Sequence, residues 1–350
     1  MPQPARSIQA APGAIDPLPQ PYLLFLGDIA EPAYAKTAFG LRDWAGERCV
    51  GEYACVGAKV STGLRFMPPE QAFAEGARSM VIGVANPGGR IPPAWLPSLL
   101  QGLEAGLDLI GGMHARLEAI DSLRRVADRL GRRLIDVRHP PPGIPVAHGR
   151  KRSGMRLLTV GTDCAVGKKY TALALVREWR GLGVDADFRA TGQTGILIAG
   201  QGIPLDAVVA DFAAGAAEML SPDAGADHWD VIEGQGSLFH PAYAGVSLAL
   251  LHGSQPDVVV VCHEVGRDIV LGHPGYPLPG IEDTVELTLR LGRRTNPQIR
   301  CAGVSLNTAK LDAAQAERLI AAESERLGCP VADPMRGGEA FRRLAQACLR

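Results

Sequence analysis

The feature that most limits the fold is a glycine-containing loop between an apolar run and a helical segment in the middle of the chain. The run 156–160 precedes Gly161, and Gly167-Lys168 opens a segment predicted to be helical to about Trp179. This context distinguishes a phosphate-binding loop from a chance match, because backbone N–H groups and the helix N-terminus face the phosphates together. The structural alternative is a glycine turn that only joins a strand to a helix. The residues predicted to bind a phosphorylated ligand are Gly161, Thr162, Asp163, Cys164, Ala165, Val166, Gly167, Lys168 and Lys169.

This loop departs from the usual P-loop pattern at two positions. Thr162 takes the place of the first glycine, and Lys169 takes the place of the Ser or Thr that normally holds Mg²⁺. An ammonium group cannot ligate a cation, so Lys168 and Lys169 together predict a metal-free cradle for phosphates. The alternative is that Lys169 points to solvent while Thr171 or Asp163 helps to place a metal.

Composition is typical of an ordinary soluble enzyme. With 350 residues, of which 46 % are hydrophobic and 21 % charged, the chain can form two cores. The net charge of −1 argues against a nucleic-acid partner, since proteins that bind along phosphates usually carry a basic excess. The seven cysteines show no paired spacing, which predicts free thiols in a reducing compartment. The N-terminal segment resembles neither a signal peptide nor a membrane span, so we expect a cytoplasmic protein with no membrane partner.

The first half of the chain alternates strand and helix patterns. Strands separated by helices of this length predict a parallel sheet with right-handed crossovers, in a Rossmann-like α/β domain. Strands are predicted at 21–27, 49–60, 79–85, 107–110 and 133–137. Helices are predicted over 33–45, from Pro68-Pro69, from Pro92 or Pro93, and over 113–130.

The domain boundary is predicted at a proline-rich run, 139–145, which cannot continue a sheet or a helix. This run divides a Rossmann-like domain from a P-loop NTPase-like α/β domain. The predicted parts are an N-terminal extension (1–20), the Rossmann-like domain (21–138), a linker (139–154) and the P-loop domain (155–350).

The second domain repeats the alternation, and its polar or glycine clusters follow predicted strands. In open α/β sheets ligands bind at the carboxyl ends of the strands, so we expect these clusters to form the site. Strands are predicted at 185–190, 206–210, 230–232, 257–261 and 301–306, with a helix at 213–220. The clusters after strands are 191–195, 233–237, 262–264 and 307–308.

Part of the second domain resembles the dethiobiotin synthetases. The similarity is carried by Gly161-Thr162-Asp163, by Val166-Gly167-Lys168 and by residues 231–236. It implies that Glu233 lies at the phosphates and metal. It also implies that Asn307 contacts the nucleotide base.

A second resemblance covers nearly the whole chain. The motifs are similar to those of a two-domain P-loop family, the DgcN-type D-glutamate N-acetyltransferases. The resemblance implies transfer of acetyl from acetyl-CoA to the amino group of D-glutamate, in D-amino-acid catabolism. The motifs are 63–64, 81–86, 105–108, 161–164, 189–195 and 233–237.

Acetyl transfer requires a base for the amine and hydrogen-bond donors for the thioester oxygen. The candidate catalytic residues near strand ends are Glu233, His240, His263 and Glu264. His263 and Glu264 are adjacent on an extended strand, so we expect only one of them to face the site. A structural role is the alternative for each histidine. Cys164, at a helix N-terminus, suggests an acyl-cysteine relay, with a small loop-filling residue as the alternative.

The carboxylates of an amino-acid substrate need cationic or N–H partners. Arg189 and Arg267 lie near strand ends, and the planar guanidinium fork matches a carboxylate. A surface ion pair is the alternative for each. The turn residues Thr191, Gln193 and Thr194 complete the predicted substrate-binding set.

These observations lead to one predicted activity and two alternatives. We predict an amino-acid N-acetyltransferase that uses acetyl-CoA and D-glutamate without a resident metal, assembled as a homo-oligomer. The first alternative is an ATP- and Mg²⁺-dependent carboxylate-activating ligase or synthetase, and the second is a nucleotide-sensing module without chemistry. Because pockets form preferentially where domains meet, we expect the amino acid in the interdomain cleft, with the nucleotide end of CoA on the second domain.

Overall fold

Two parallel sheets, one in each half of the chain, form the framework of the molecule. The structure is a computed structural model that describes residues 17–86 and 88–350. Most of the predicted extension 1–20 therefore lies outside the described residues. None of the described helices has the length and apolar character needed to cross a membrane.

The first sheet has five strands, all parallel, and its central part is completely buried. The strands are β1 (Tyr22–Phe25), β2 (Cys49–Tyr53), β3 (Ser79–Ile82), β4 (Asp108–Gly111) and β5 (Leu134–Asp136), and the helices are α1 (Lys36–Ala45), α2 (Pro69–Ala74), α3 (Leu96–Glu104) and α4 (Asp121–Leu130). The order is β2-β1-β3-β4-β5. Every residue of β1, β3 and β4 is buried, as expected for a parallel sheet covered on both faces.

The second sheet has six parallel strands, and the strand that leads into the P-loop lies in its interior. The strands are β6 (Met155–Gly161), β7 (Ala186–Arg189), β8 (Trp229–Ile232), β9 (Val258–Glu264), β10 (Arg300–Asn307) and β11 (Val331–Ala332). The helices are α5 (Lys168–Gly181), α6 (Gln193–Ala199), α7 (Ala210–Leu220), α8 (Ala244–Ser254), α9 (Ile281–Gly292), α10 (Ala313–Leu327) and α11 (Gly338–Cys348). The order is β11-β10-β9-β6-β8-β7, so the predicted pair of α/β domains is confirmed.

Three of the predicted elements differ in the structure. The strand predicted at 49–60 ends at Tyr53. The strand predicted at 206–210 is wrong: a 3₁₀ turn, Leu205–Ala207, leads directly into α7. Val209, which suggested a strand, is 67 % exposed, so it has no sheet to pack in. The helix predicted over 113–130 begins only at Asp121, because the Leu117 N–H is bonded to the Asp136 carboxylate at 3.1 Å instead of continuing a helix.

The turn predicted at 191–195 opens α6, a short helix that the sequence patterns did not predict. Ile196 and Leu197 are buried in the same hydrophobic cluster as the core of the first domain. At the start of the helix, the hydroxyl oxygens of Thr194 and Thr37 lie 3.2 Å apart across the domain boundary. The apolar core of the first domain therefore extends onto α6, which fixes the glycine-rich turn against the first domain.

The linker between the domains is held firmly against the second domain. The buried guanidinium of Arg152 donates to the Gly253 carbonyl at 2.8 Å. On α7, a Cβ added at Gly215 would lie only 1.8 Å from the Pro145 carbonyl oxygen. Glycine at 215 therefore allows this close passage of the linker.

Candidate active site

The P-loop joins β6 to α5 at the carboxyl edge of the second sheet. The backbone N–H groups of residues 165–169 donate to no oxygen in the described part of the chain. Ala165 and Gly167 adopt positive φ angles of 57° and 108°, which curl the loop. The buried Lys168 ammonium donates to the Asp163 carbonyl at 2.7 Å. Free N–H groups around a buried cation form an anion-binding cradle.

Lys169, at the usual position of the Mg²⁺ ligand, lies against the protein. Its ammonium is 4.7 Å from the centroid of the Tyr170 ring, and the residue is half-buried. Burial lowers the pKa of Lys169, while the nearby Glu233 carboxylate opposes this shift. Burial likewise lowers the pKa of Lys168. Lys168 and Lys169 therefore both lie close enough to the buried Glu233 carboxylate to affect its charge.

The two groups considered as alternative metal ligands are both engaged by protein atoms. The Thr171 hydroxyl donates to the Gly167 carbonyl and lies 2.8 Å from the Ser305 hydroxyl. The Asp163 carboxylate is completely buried and accepts three hydrogen bonds. The donors are Cys164 N at 2.6 Å, Leu271 N at 2.8 Å and Arg267 Nη1 at 3.0 Å.

One potential metal-ligand cluster is present that the sequence spacing did not predict. Ligand atoms of Asp163, Cys164 and His240 lie within 4.8 Å of one another. Burial raises the pKa of the Cys164 thiol. The thiolate is both the metal ligand and the nucleophile, so this shift disfavours a metal and also an acyl-cysteine relay.

Glu233 directly follows β8 and is fixed by the turn that opens α6. Its Oε2 accepts hydrogen bonds from Thr191 N at 3.0 Å and Gly192 N at 3.1 Å. A Cβ at Gly195 would lie 2.3 Å from this oxygen, so the helix approaches as closely as it does because residue 195 is glycine. Oε1 accepts no hydrogen bond from a described residue. Burial raises the pKa of Glu233, against the opposing effect of Lys169.

His240 is buried next to the P-loop and is held by aromatic contacts. Its ring centroid lies 4.5 Å from that of Tyr243 and 4.8 Å from that of His273. Nδ1 accepts the N–H of Ala242 at 3.1 Å, and Nε2 lies 3.8 Å from Oδ1 of Asp163. Burial lowers the pKa of His240, so the ring is neutral at pH 7, with its proton on Nε2.

The other two candidate catalytic residues are engaged at the end of β9. Nδ1 of His263 lies 3.1 Å from the Thr162 hydroxyl, and burial lowers the pKa of this histidine. Burial alone would raise the pKa of Glu264, but its ion pairs with Lys310 and Arg267 lower it. Glu264 is thus a charged counter-ion rather than an available base.

Both arginines predicted to bind carboxylates of the substrate form ion pairs within the protein. Arg189 Nε lies 2.5 Å from Asp230 Oδ1. Arg267 pairs with Asp163 and Glu264 and also donates to a loop carbonyl. Each arginine therefore forms ion pairs, as in the alternative considered for it, but these pairs are largely buried and do not lie at the surface.

The other predicted binding residues divide between the domain boundary and the end of β10. Gln193 packs against Gly112 of the first domain, where an added Cβ would lie 2.6 Å from the Gln193 amide oxygen. Asn307 ends β10, and its side-chain oxygen accepts the N–H of Ala309 at 3.1 Å. The preceding residue, Leu306, lines a cavity of about 290 Å³ beside β9 and β10.

A larger cleft of about 690 Å³ opens between the two domains. It reaches the P-loop at Cys164 and comes close to Glu233 through Gln235, whose amide donates to the Thr191 hydroxyl at 2.9 Å. The first domain contributes His114 and Arg138, which belong to no motif and were not predicted. The full lining is His114, Arg138, Cys164, Leu205, Asp206, Val208, Ala210, Ala213, Gln235, Gly236, Ala242, Tyr243, Gly245, Val246 and Ala249.

Comparisons with known proteins agree with this two-domain arrangement. Residues 145–342 match the family described as "Domain of unknown function (DUF1611_C) P-loop domain", and residues 48–140 match "Domain of unknown function (DUF1611_N) Rossmann-like domain". A "D-glutamate N-acetyltransferase" from Tritonibacter scottomollicae is 49 % identical over 318 residues, which cover 91 % of this chain and 96 % of that protein. A protein of the same name from Pseudoalteromonas sp is 46 % identical over the same shares. A crystal structure of a DUF1611 family protein from Anabaena variabilis is 32 % identical, with a TM-score of 0.82, and the match covers 94 % of this chain and 99 % of that one.

Proposed function

Because the chain belongs to the DUF1611 family, we propose that it is a cytoplasmic N-acetyltransferase that transfers acetyl from acetyl-CoA to the amino group of D-glutamate. Relatives of that name align with nine-tenths of the chain, which agrees with the predicted acyltransferase class. The observation that carries the choice of donor is the P-loop. Its N–H groups beside Lys168 have no acceptor in the described part of the chain, and Lys169 takes the place of the Mg²⁺-binding hydroxyl.

The P-loop is proposed to hold phosphates of CoA. CoA carries a pyrophosphate and a 3′-phosphate, but acetyl transfer breaks no phosphate bond. A cradle of N–H groups and ammonium groups neutralises such phosphates without a Mg²⁺ ion. The hydrogen bonds already accepted by Asp163 and made by Thr171 support this choice, because they occupy the groups that would otherwise help to hold a metal.

Glu233 is proposed to be the general base that takes a proton from the substrate amine. Its Oε1 has no donor among the described residues, while Oε2 is fixed by two backbone N–H groups. Burial raises the pKa of Glu233, which strengthens it as a base. The two nearby lysines stabilise the ionised form, so a carboxylate is available for the deprotonation.

His240 is proposed to stabilise the oxyanion that forms when the amine attacks the thioester carbonyl. The neutral ring carries its proton on Nε2, and this N–H has no hydrogen-bond acceptor among the described residues. A fixed donor aimed at developing negative charge lowers the barrier without costing reorganisation. In this assignment His240 is a hydrogen-bond donor rather than the base.

The experiment that tests this function measures release of free CoA from acetyl-CoA. Purified protein is incubated with acetyl-CoA and a panel of D- and L-amino acids, and the acylated product is identified by mass spectrometry. We expect release with D-glutamate and formation of N-acetyl-D-glutamate. A parallel incubation with ATP and Mg²⁺ tests the ligase: release of ADP without acetyl transfer would contradict the proposal.

A further inference from the structure

Arg138 lies two residues after the end of β5 and lines the interdomain cleft from the side of the first domain. Its Nη2 donates to Oδ2 of Asp206 at 2.9 Å, and both residues line the cleft. Asp206 lies in the 3₁₀ turn before α7, in the second domain. The ion pair therefore joins the two walls of the cleft, with side-chain exposures of 23 % for Arg138 and 38 % for Asp206.

The guanidinium of Arg138 has much free hydrogen-bonding capacity. A guanidinium carries five N–H donors in a planar fork. In the described part of the chain, only Nη2 of Arg138 has a hydrogen-bond partner. By contrast, the Arg267 guanidinium contacts two carboxylates and a carbonyl, and the Arg189 guanidinium contacts two carboxylates.

The pair with Asp206 is also weak enough to be exchanged or shared. Partly exposed ion pairs contribute little to stability. A carboxylate bound side-on can accept two parallel hydrogen bonds from the fork, which is the stronger arrangement. A dicarboxylic ligand can therefore engage Arg138 without breaking a buried network.

We infer that Arg138 binds the side-chain carboxylate of the amino-acid acceptor and thereby selects an acidic amino acid. This inference rests on the proposed function. The α-carboxylate and the reacting amine are attached to the same α-carbon, so the α-carboxylate stays near Glu233. The side-chain carboxylate lies at the other end of the substrate. Arg138 lies on the opposite wall of the cleft that reaches the P-loop at Cys164, and among the described residues it is the one arginine in that lining.

Two substitutions separate this role from a structural one. Arg138→Gln removes the charge but keeps polarity, and we expect kcat/KM for D-glutamate to fall by about 10- to 150-fold, through KM. The same variant should keep kcat/KM for D-glutamine within about twofold of the wild-type value, because no charge pair with that substrate is lost. Arg180→Gln is the matched control, because Arg180 pairs with Asp187 at 2.7 Å on the surface, outside the cleft. This variant should leave kcat/KM unchanged for both substrates.

Binding of D-glutamate and D-glutamine in the presence of CoA, measured by calorimetry, gives a second readout that does not depend on turnover. If the wild type acetylates no amino acid, the proposed function fails, while the binding preference still tests Arg138. The inference is overturned if Arg138→Gln leaves the preference for D-glutamate unchanged, or weakens both ligands equally. Thermal unfolding of each variant identifies a loss caused by misfolding. If Arg138→Gln is misfolded, Arg138→Lys replaces it. Arg138→Lys should retain the preference for D-glutamate with a raised KM, and an unchanged KM would overturn the inference.

Discussion

The two sheets have the same parallel construction, but their carboxyl edges differ. At the edge of the second sheet, Lys168 and Glu233 are buried beside N–H groups and a carboxylate oxygen that have no hydrogen-bond partner among the described residues. At the edge of the first sheet, polar side chains mainly hold turns together. Asp28 accepts the indole N–H of Trp95 at 2.7 Å. The Asn86 side chain donates to the Arg90 carbonyl and accepts the Arg90 N–H.

This difference indicates how the domains divide the work. The P-loop N–H groups and Oε1 of Glu233, which have no hydrogen-bond partner among the described residues, belong to the second domain. The first domain supplies a wall of the cleft with His114 and Arg138. A buried polar group without a partner costs free energy, so such groups are retained where a ligand completes them. The chemistry is therefore expected to depend on the second edge and the choice of acceptor on the first.

The largest effect is expected from Glu233→Gln. Removal of a general base should lower kcat by about 10²- to 10⁴-fold and leave the affinity for acetyl-CoA nearly unchanged. The matched control on the first edge is Asp28→Asn, since Asp28 is an exposed carboxylate with a structural hydrogen bond. Steady-state kinetics of both variants measure the contrast, and equal losses in the two would contradict the division of work.

The pH profile sharpens the same assignment. A base must be ionised, and burial raises the pKa of Glu233 above that of an ordinary glutamate. Activity should therefore be complete above this raised pKa and decline as the pH falls through it. In Glu233→Gln the decline should disappear from the residual kcat; a decline at the same pH in the variant would assign it to another group.

The next effect is expected on binding of the acyl donor. Lys168→Ala should weaken acetyl-CoA binding by about 2–3 kcal/mol, or about 30- to 150-fold, because a charge-assisted phosphate contact is lost. Lys59→Ala, at an exposed lysine of the first domain, serves as the control. Calorimetric titration measures both, and wild-type affinity in Lys168→Ala would remove the P-loop from the donor site.

A smaller effect should follow from moving Glu233 without removing it. Gly195→Ala places a methyl carbon only 2.3 Å from Oε2 of Glu233, so the carboxylate must shift. We expect kcat to fall on the order of tenfold, since a displacement of ~1 Å costs up to about 100-fold. Gly46→Ala, where nothing lies within 4 Å of an added Cβ, should leave kcat unchanged. A normal rate in Gly195→Ala would show that the position of Oε2 is unimportant.

The smallest effect concerns the second lysine. Lys169→Thr restores the hydroxyl of an ordinary P-loop, so it should weaken acetyl-CoA binding by about fivefold and increase Mg²⁺-dependent ATP binding. Acetyl transfer by the wild type should survive EDTA. Loss of the wild-type reaction in EDTA, restored by Mg²⁺, would contradict the metal-free cradle.

Local sequence patterns predicted the parts of the fold that depend on local chemistry. Buried parallel strands are continuous apolar runs, so most strands were predicted, and the P-loop was predicted from its glycines and lysine. The short helix α6 was missed because it is defined by its packing into the other domain, where Ile196 and Leu197 are buried. The false strand at 206–210 has the same origin: apolar residues were assigned to a sheet, although Val209 is exposed.

The motifs predict where Glu233 and Lys168 lie, since Glu233 follows a strand and Lys168 begins a helix. The roles assigned to these two residues stay predictions. Arg138 was missed because it stands alone and reaches the cleft through the meeting of two domains. Arg267 is predicted to bind a substrate carboxylate, but it forms ion pairs within the protein. Its position near a strand end is compatible with either role.

The central claim is that the P-loop holds the acyl donor rather than ATP, and one competition titration tests it most directly. The wild-type protein is titrated with acetyl-CoA in EDTA, and then again in the presence of excess ATP and Mg²⁺. We predict binding in EDTA and nearly the same affinity with ATP and Mg²⁺ present. Binding of ATP–Mg²⁺ that displaces acetyl-CoA, or no binding of acetyl-CoA without metal, would contradict the claim.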